Sequence, residues 1–360
     1  MKKRVLIAMS GGVDSSAAAA RLVEQGYDVV GVTMQVWDYS SDSCSIEEGN
    51  GTCCSSIDVE DARSVADKIG IPFYVVNCET RFKEKVIDDF VAGYLKGETP
   101  LPCVNCNTYL KFDHLIYKMK ELNCDYLATG HYARIETTND GEKVIVTSED
   151  SWKDQTYFLF TIQKELVGKL LFPIGDWEKS KVRAYAEEKG LVVARKKDST
   201  GICFIGKAGY AGFIEKQVPA HMLKSGKIRN VVNNEILGDH TGIHQFTIGQ
   251  RKGVGIATGE PLYVVKLDAE NGDVWMGPES SLYTSEVKIN GINELAKIKE
   301  GSVLRVKIRY AHQGAKAKLI KTGTDSALLK FEEPQRAVTL GQAAVIYDGN
   351  ILMGGGWIVK

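Results

Sequence analysis

Three groups of residues in this 360-residue chain have types and spacings suited to chemistry. The first is Met9-Ser10-Gly11-Gly12-Val13-Asp14-Ser15-Ser16, placed between the apolar run Val5-Leu6-Ile7-Ala8 and the alanines at 17–20. A β-branched strand that runs through two glycines into a helix leaves a turn without side chains at the helix mouth. Unpaired backbone N–H groups and the helix dipole favour an anion there, most simply phosphate. The hydroxyls of Ser10, Ser15 and Ser16 add donors, and glycine lets backbone approach where a Cβ would block it. The second group is Cys103 and Cys106, within Thr99-Pro100-Leu101-Pro102-Cys103-Val104-Asn105-Cys106-Asn107. Its prolines predict a rigid loop just before a helix that starts near Tyr109. A thiol at a helix N-terminus is favoured as thiolate, the nucleophilic and metal-binding form. By itself such a pair is open to zinc, redox or cluster chemistry. The third is Cys203, preceded by the polar stretch 196–201 and followed by Phe204-Ile205, which puts a thiol on a flexible lead with an apolar anchor.

The elements that must position these groups follow from hydrophobic spacing. Short β-branched or aromatic runs at 4–9, 28–36, 73–77 and 126–129 alternate with helical patterns at 15–25, 58–69, 81–96 and 109–122. This predicts an α/β domain over residues 1–205, with a parallel sheet covered on both faces. Ligands of such sheets bind beyond the carboxyl ends of the strands. The rule groups Ala8 to Ser15 with Met34 and Gly130, where a thioether and a bare backbone suit a flat adenine ring. A hairpin is expected over 132–147 and a basic amphipathic helix over 181–189. Beyond residue 206, short alternating runs and glycine-rich turns predict two small β domains, 206–282 and 283–360, the last a barrel. The Walker A pattern is absent, which argues against kinases and GTPases of that type.

The composition, 44% hydrophobic and 25% charged, is that of an ordinary globular protein. Val5 to Met9 is too short for a signal-peptide core, and no apolar run approaches the roughly 20 residues of a membrane span, so a cytoplasmic protein is expected. The formal charge of −1 hides an asymmetry: residues 38–61 carry seven acids and no Lys or Arg, whereas 301–330 carry seven basic residues and one acid. Residues 179–207 hold eight basic residues against three acidic, so a basic face for nucleic-acid phosphates is compatible with overall neutrality. Outside a secretory context the eight cysteines read as redox, catalytic or metal-binding before disulfide scaffold. Cys78 and Cys124 lie in apolar surroundings and read as core. Cys44, Cys53 and Cys54 flank a polar loop and fit no zinc signature. Lys153-Asp154-Gln155 beside Tyr157 combines the side chains that stacking and phosphate contacts on RNA use.

Ser-Gly-Gly-Val-Asp-Ser at 10–15 resembles the pyrophosphate loop of the N-type ATP pyrophosphatases. Taken with Thr-Gly-His-Tyr-Ala at 129–133, Lys-Asp-Gln-Thr-Tyr-Phe-Leu at 153–159, Asp-Ser-x-x-Ile-Cys-Phe-Ile at 198–205, Thr-Ile-Gly-Gln-Arg-Lys-Gly at 247–253 and Pro-Gln-Arg-Ala-Val at 334–338, it resembles the tRNA-specific 2-thiouridylases from residue 4 to the C-terminus. The resemblance implies thiolation at C2 of the wobble uridine in tRNAs for Lys, Glu and Gln, with ATP and Mg2+ activating the O2 oxygen. It implies ATP contacts at Ala8, Met9, Ser10, Gly11, Gly12, Val13, Asp14, Ser15, Met34 and Gly130, and Cys106 and Cys203 as the catalytic pair. Cys203 would carry a persulfide received from a sulfur-donor protein, and the pair would end each turnover as a disulfide; sulfide would be the source only if a cluster bound it as hydrosulfide. It further implies a chain monomeric when free, and tRNA contacts at His131, Lys153, Asp154, Gln155, Arg309, Tyr310 and Gln342. The chain departs from the family at Leu101-Pro102-Cys103, where many members have Asn-Pro-Asp facing the target base. Leu101 lacks the amide's hydrogen bonds and Cys103 lacks the carboxylate. The substitution creates a set, Cys103, Cys106 and Cys203, whose thiols are also the ligands a [4Fe-4S] cluster with one open iron requires. Another ATP pyrophosphatase, needing neither cysteine, and a non-catalytic RNA-binding or sulfur-carrying protein are the competing readings.

Overall fold

The computed structural model describes residues 2–37, 56–198, 201–206, 208–257 and 259–360, so Cys44, Cys53 and Cys54 lie outside the described residues. The chain forms two compact units, one of residues 1–86, 103–204 and 349–352, the other of 87–102, 205–348 and 353–360.

The first unit is built on strand β1 (Arg4–Ala8), helix α1 (Val13–Glu24), β2 (Asp28–Gln35), α2 (Ser56–Ile69) and β3 (Phe73–Asn77). Helical turns follow over Glu79–Phe82 (α3) and Lys83–Ile87, the second π-helical, and continue into Asp88–Leu95 (α4) of the other unit. After the short helix α5 (Pro102–Asn105), a π-helical stretch (Cys106–His114) and α6 (Leu115–Glu121) come β4 (Tyr126–Thr129), the hairpin β5 (Ala133–Thr137) and β6 (Lys143–Thr147), β7 (Leu170–Leu171) and α7 (Lys179–Glu188). The sheet order is β3-β2-β1-β4-β7, and β1 pairs in parallel with both β2 and β4. A strand covered on both faces is apolar at every position; accordingly Val5, Leu6 and Ile7 are wholly buried. Ala17 to Ala20 are buried too, and their small side chains let α1 lie close to the sheet. Strand order reverses beside β1, so the crevice between the carboxyl ends of β1 and β4 is the topological switch point where ligands of such sheets bind.

One local expectation is corrected. Residues 102–121 form one helical run, so Cys103 and Cys106 lie in its first turns and not on a loop ahead of it. Pro102 does not break this helix because it is the first helical residue, where the missing N–H has no acceptor in any case and the fixed φ suits the turn.

In the second unit, α8 (Gly209–Gln217) precedes a four-stranded sheet ordered β10-β11-β8-β9, from β8 (Gly226–Asn230), β9 (Ile236–His240), β10 (Tyr263–Asp268) and β11 (Asp273–Gly277). Its core includes Ile228, Phe246, Val264, Val274 and Met276. Strands β12 (Tyr283–Glu294), β13 (Val303–Lys307), β14 (Ala315–Lys321), β15 (Ser326–Arg336), β16 (Ala343–Asp348) and β17 (Ile351–Val359) run in the order β12-β15-β14-β13-β16-β17, and pairing of β12 with β17 closes them into the expected barrel.

Candidate active site

The turn after β1 is shaped by two close approaches. Gly11 has φ +68°, and a Cβ there would lie 2.1 Å from the Asp58 carbonyl oxygen. Gly130, just after β4, sits against the start of α1, where a Cβ would fall 2.6 Å from the Ser15 amide nitrogen. Ser15 accepts a hydrogen bond at Oγ from the Ser10 amide at 3.1 Å and donates to the Gly12 carbonyl at 3.2 Å. Gly12 caps α1 without any side-chain hydrogen bond, which leaves the first-turn N–H groups to an outside acceptor. Met34 is buried near the end of β2. Gly130→Ala is expected to push the helix start away from β4. It should cost about 1–3 kcal/mol, the usual penalty for overpacking, read as a lower urea midpoint.

Charged side chains from distant segments converge on this turn. Lys179, the first residue of α7, donates to both Asp14 oxygens at 2.7 and 2.8 Å and lies 2.9 Å from Asp198 Oδ1. The Tyr132 hydroxyl donates to Asp14 Oδ1 at 2.8 Å. Lys153 donates to Asp198 Oδ2 at 2.9 Å, and Arg183 donates to Asp198 Oδ1. Burial alone would raise the Asp198 pKa, but hydrogen bonds from Lys179 and Lys153 outweigh it and hold the carboxyl down at about 2. Lys196 reaches the Gly11 carbonyl at 3.0 Å and Asp58 and Asp61 at 2.6 and 2.5 Å. Burial opposes its charge, and the two carboxylates more than compensate, so its pKa is raised. In the sequence Lys179, Arg183 and Lys196 are signalled only by the basic character of 179–207, and Tyr132 only as part of Thr-Gly-His-Tyr-Ala at 129–133.

Cys103 is exposed, while Cys106 and Cys203 are half-buried. Cys78, buried at the start of α3, has its thiol pushed up to about 11 by burial and then by the neighbouring Cys106. The Cys78 carbonyl accepts the Phe82 amide at 2.8 Å, and the Phe82 ring meets Phe204 at 5.8 Å and Trp37 at 5.7 Å. Phe204 is thus the apolar anchor expected after Cys203, and one helical turn links the neighbour of Cys106 to the ring that holds it. Among the described residues no three His, Cys, Asp or Glu side chains are grouped closely enough to hold a metal ion.

Family models match the chain in three consecutive segments: a tRNA methyl transferase HUP domain at residues 3–207, its PRC-barrel domain at 211–278, and an aminomethyltransferase beta-barrel domain at 280–358. The tRNA-specific 2-thiouridylase MnmA of Clostridium acetobutylicum is 48% identical over 362 residues, covering 99% of this chain and 100% of that protein. That of Geotalea uraniireducens is 46% identical over 360 residues, covering 99% and 95%. The chain belongs to the tRNA-specific 2-thiouridylase family.

In this 2-thiouridylase several side chains expected to face RNA are engaged internally. His131 is buried between Phe112 and Phe172, its Nδ1 2.6 Å from Thr129 Oγ1 and its Nε2 3.4 Å from Lys111 Nζ. Lysine can only donate, so Nε2 accepts and the proton of neutral His131 sits on Nδ1. Asp154 is buried and accepts the Ser148 amide and the Thr156 hydroxyl, while Gln155 accepts the Tyr132 amide. Tyr157 is wholly buried; the exposed aromatic of this stretch is Trp152, at 88% exposure. In the second unit Arg309 and Tyr310 are exposed, and Gln342 donates to the Thr99 carbonyl at 2.7 Å, bracing the lead into half-buried Leu101 and buried Pro102.

Burial, reinforced by Lys111, lowers the His131 pKa well below 6.5. The unfolded chain therefore binds a proton below about pH 6.5 that the folded chain refuses, and stability falls as pH drops through that value. The unfolding free energy from urea titrations should decline between pH 7.5 and 5.5, by up to about 1.4 kcal/mol per pH unit below 6.5 from this group. The decline should shrink in His131→Asn.

Proposed function

We propose that this 2-thiouridylase replaces the C2 oxygen of the wobble uridine in tRNAs for Lys, Glu and Gln by sulfur, acting in the cytoplasm as a monomer when free. The reading is carried by the open N-terminus of α1 on the Ser-Gly-Gly turn, in one compact unit with Cys106 and Cys203. The uracil O2 attacks the α phosphate of ATP, pyrophosphate departs, and C2 now bears a good leaving group, AMP. The N–H groups of the turn and Lys179 neutralise the β and γ phosphates as charge builds on them. Mg2+ is held mostly by phosphates and water and needs one or two carboxylates; Asp14 fits that role, and the ion would supply further charge neutralisation. Met34 and Gly130 lie at the strand ends where the adenine would rest.

For the sulfur step, a persulfide-bearing donor protein or equivalent donor passes its outer sulfur to the Cys203 thiolate and leaves as a thiolate. The terminal sulfur of the Cys203 persulfide attacks C2, the C–O bond breaks and AMP leaves. Cys106 thiolate then attacks the Cys203 sulfur, which releases 2-thiouridine and forms a Cys106–Cys203 disulfide that a dithiol reduces. Leu101, Pro102 and Cys103 face the target base through shape and not through an amide and a carboxylate. Trp152, Arg309 and Tyr310 offer the stacking and cationic groups that a tRNA needs. The test is pyrophosphate release: it should require unmodified tRNA, and equal release without tRNA would refute the assignment.

A further inference from the structure

Most of the hydrogen bonds that shape the Ser-Gly-Gly turn are local, but one comes from far along the chain. The Ser10 amide donates to Ser15 Oγ at 3.1 Å, and the Gly12 carbonyl accepts the Ser15 hydroxyl and the Ser16 amide, each at 3.2 Å. Between them lies the Gly11–Gly12 peptide, which has no Cβ on either side to oppose its rotation. Among the described residues its one hydrogen bond is from Lys196 Nζ to the Gly11 carbonyl at 3.0 Å. Lys196 is aimed in turn by two carboxylates of α2, buried Asp58 at 2.6 Å and Asp61 at 2.5 Å. An ammonium group has three N–H donors, and these three acceptors engage them all, so Lys196 has none left for a phosphate. A trans peptide points its C=O and its N–H in opposite directions, so holding the Gly11 oxygen on Lys196 turns the Gly12 N–H away from that lysine and its carboxylates.

We infer that Lys196, aimed by Asp58 and Asp61, is a positioning residue for ATP: it locks the Gly11–Gly12 peptide so that the Gly12 N–H, and not the Gly11 oxygen, faces the phosphates. The inference rests on the reading of the Ser-Gly-Gly turn as an ATP site. A flip of this peptide needs rotation only at Gly11 and Gly12, which glycine permits, and the bond from Lys196 is what opposes it. The flipped peptide would present a carbonyl oxygen where the β and γ phosphates need a donor, so a favourable contact would become a repulsive one. Lys196 thus acts through the backbone, whereas Lys179 meets the phosphates directly.

The test measures binding of Mg-ATP and of AMP to the full-length protein by equilibrium dialysis. Lys196→Met should weaken Mg-ATP binding about tenfold or more, as expected when a hydrogen bond from a charged group is lost, and leave AMP, which has no β or γ phosphate, within about twofold. That variant also leaves two carboxylates without their cation, so a second variant separates charge from geometry. Lys196→Met combined with Asp58→Asn removes one positive and one negative charge together, which keeps the net charge of the cluster and avoids a lone buried carboxylate. It still lacks the bond to Gly11 and should remain about tenfold or more weaker for Mg-ATP. Lys196→Arg, which keeps a charged donor for the carbonyl, should bind Mg-ATP within about threefold of the wild type. Mg-ATP binding within about twofold of the wild type in the double variant, or an equal loss for AMP, would overturn the inference. Failure of Mg-ATP to bind the wild type at all would instead refute the ATP site, and the inference with it.

Discussion

Cys203→Ser should keep tRNA-dependent pyrophosphate release within about threefold of the wild type and lose thiolation by about three orders of magnitude or more, as expected when a nucleophile that forms a covalent intermediate is removed. Adenylation uses the turn after β1 and α7, whereas the sulfur step cannot start without the Cys203 thiol. Cys106→Ser should also lose turnover, but at a later point: the tRNA should accumulate as a mixed disulfide through its new sulfur to Cys203, visible as a protein–RNA adduct that dithiothreitol reverses. Pyrophosphate release and 2-thiouridine content, measured on the same reaction, separate the two variants. If Cys203→Ser thiolates at more than about a tenth of the wild-type rate, sulfur does not travel through Cys203; if Cys106→Ser does, Cys106 is not the thiol that releases the product.

Asp14→Asn should act on the other half of the reaction. It keeps the hydrogen-bonding outline of the side chain but removes the charge that Lys179 and the Tyr132 hydroxyl meet at 2.7 and 2.8 Å. Asp14 would hold the Mg2+ and orient the Lys179 that neutralise the departing phosphates, so its loss should cost about 10²–10³ in rate. Pyrophosphate release and thiolation should fall by the same factor, because the second depends on the first. A variant that releases pyrophosphate normally but does not thiolate would move Asp14 from the ATP site to the sulfur step.

What the sequence reveals and what it hides divide along physical lines. The strands at β1 to β4 are legible because a buried parallel sheet demands unbroken β-branched runs, and Val5-Leu6-Ile7 could be little else. The turn at Gly11-Gly12 is legible because its chemistry is local. The partners of that turn are not: Lys179 is 165 residues from Asp14, and no local pattern signals which lysine of a basic stretch bends back to a carboxylate. Residue type also says little about exposure. His131, Asp154 and Tyr157 have the side chains of an RNA contact yet are buried, while Trp152 stands in water. Pro102 reads as a helix breaker from sequence because its position within the first turn is visible only once the chain is folded. The closeness of Cys106 to Cys78, and of Phe204 to Phe82, is likewise a property of packing that spacing does not record.

The central claim is that one chain activates a tRNA carbonyl with ATP and replaces its oxygen by sulfur. The most direct measurement is a single reaction containing the full-length protein, unmodified tRNA for Lys, Glu or Gln, Mg-ATP and a sulfane-sulfur donor, in which 2-thiouridine, its position, AMP and pyrophosphate are all quantified. The account predicts one 2-thiouridine at the wobble position for each AMP and each pyrophosphate released, and no pyrophosphate when the tRNA already carries the thiocarbonyl. Sulfur at another position, or ATP cleavage to AMP that continues on fully thiolated tRNA, would contradict it.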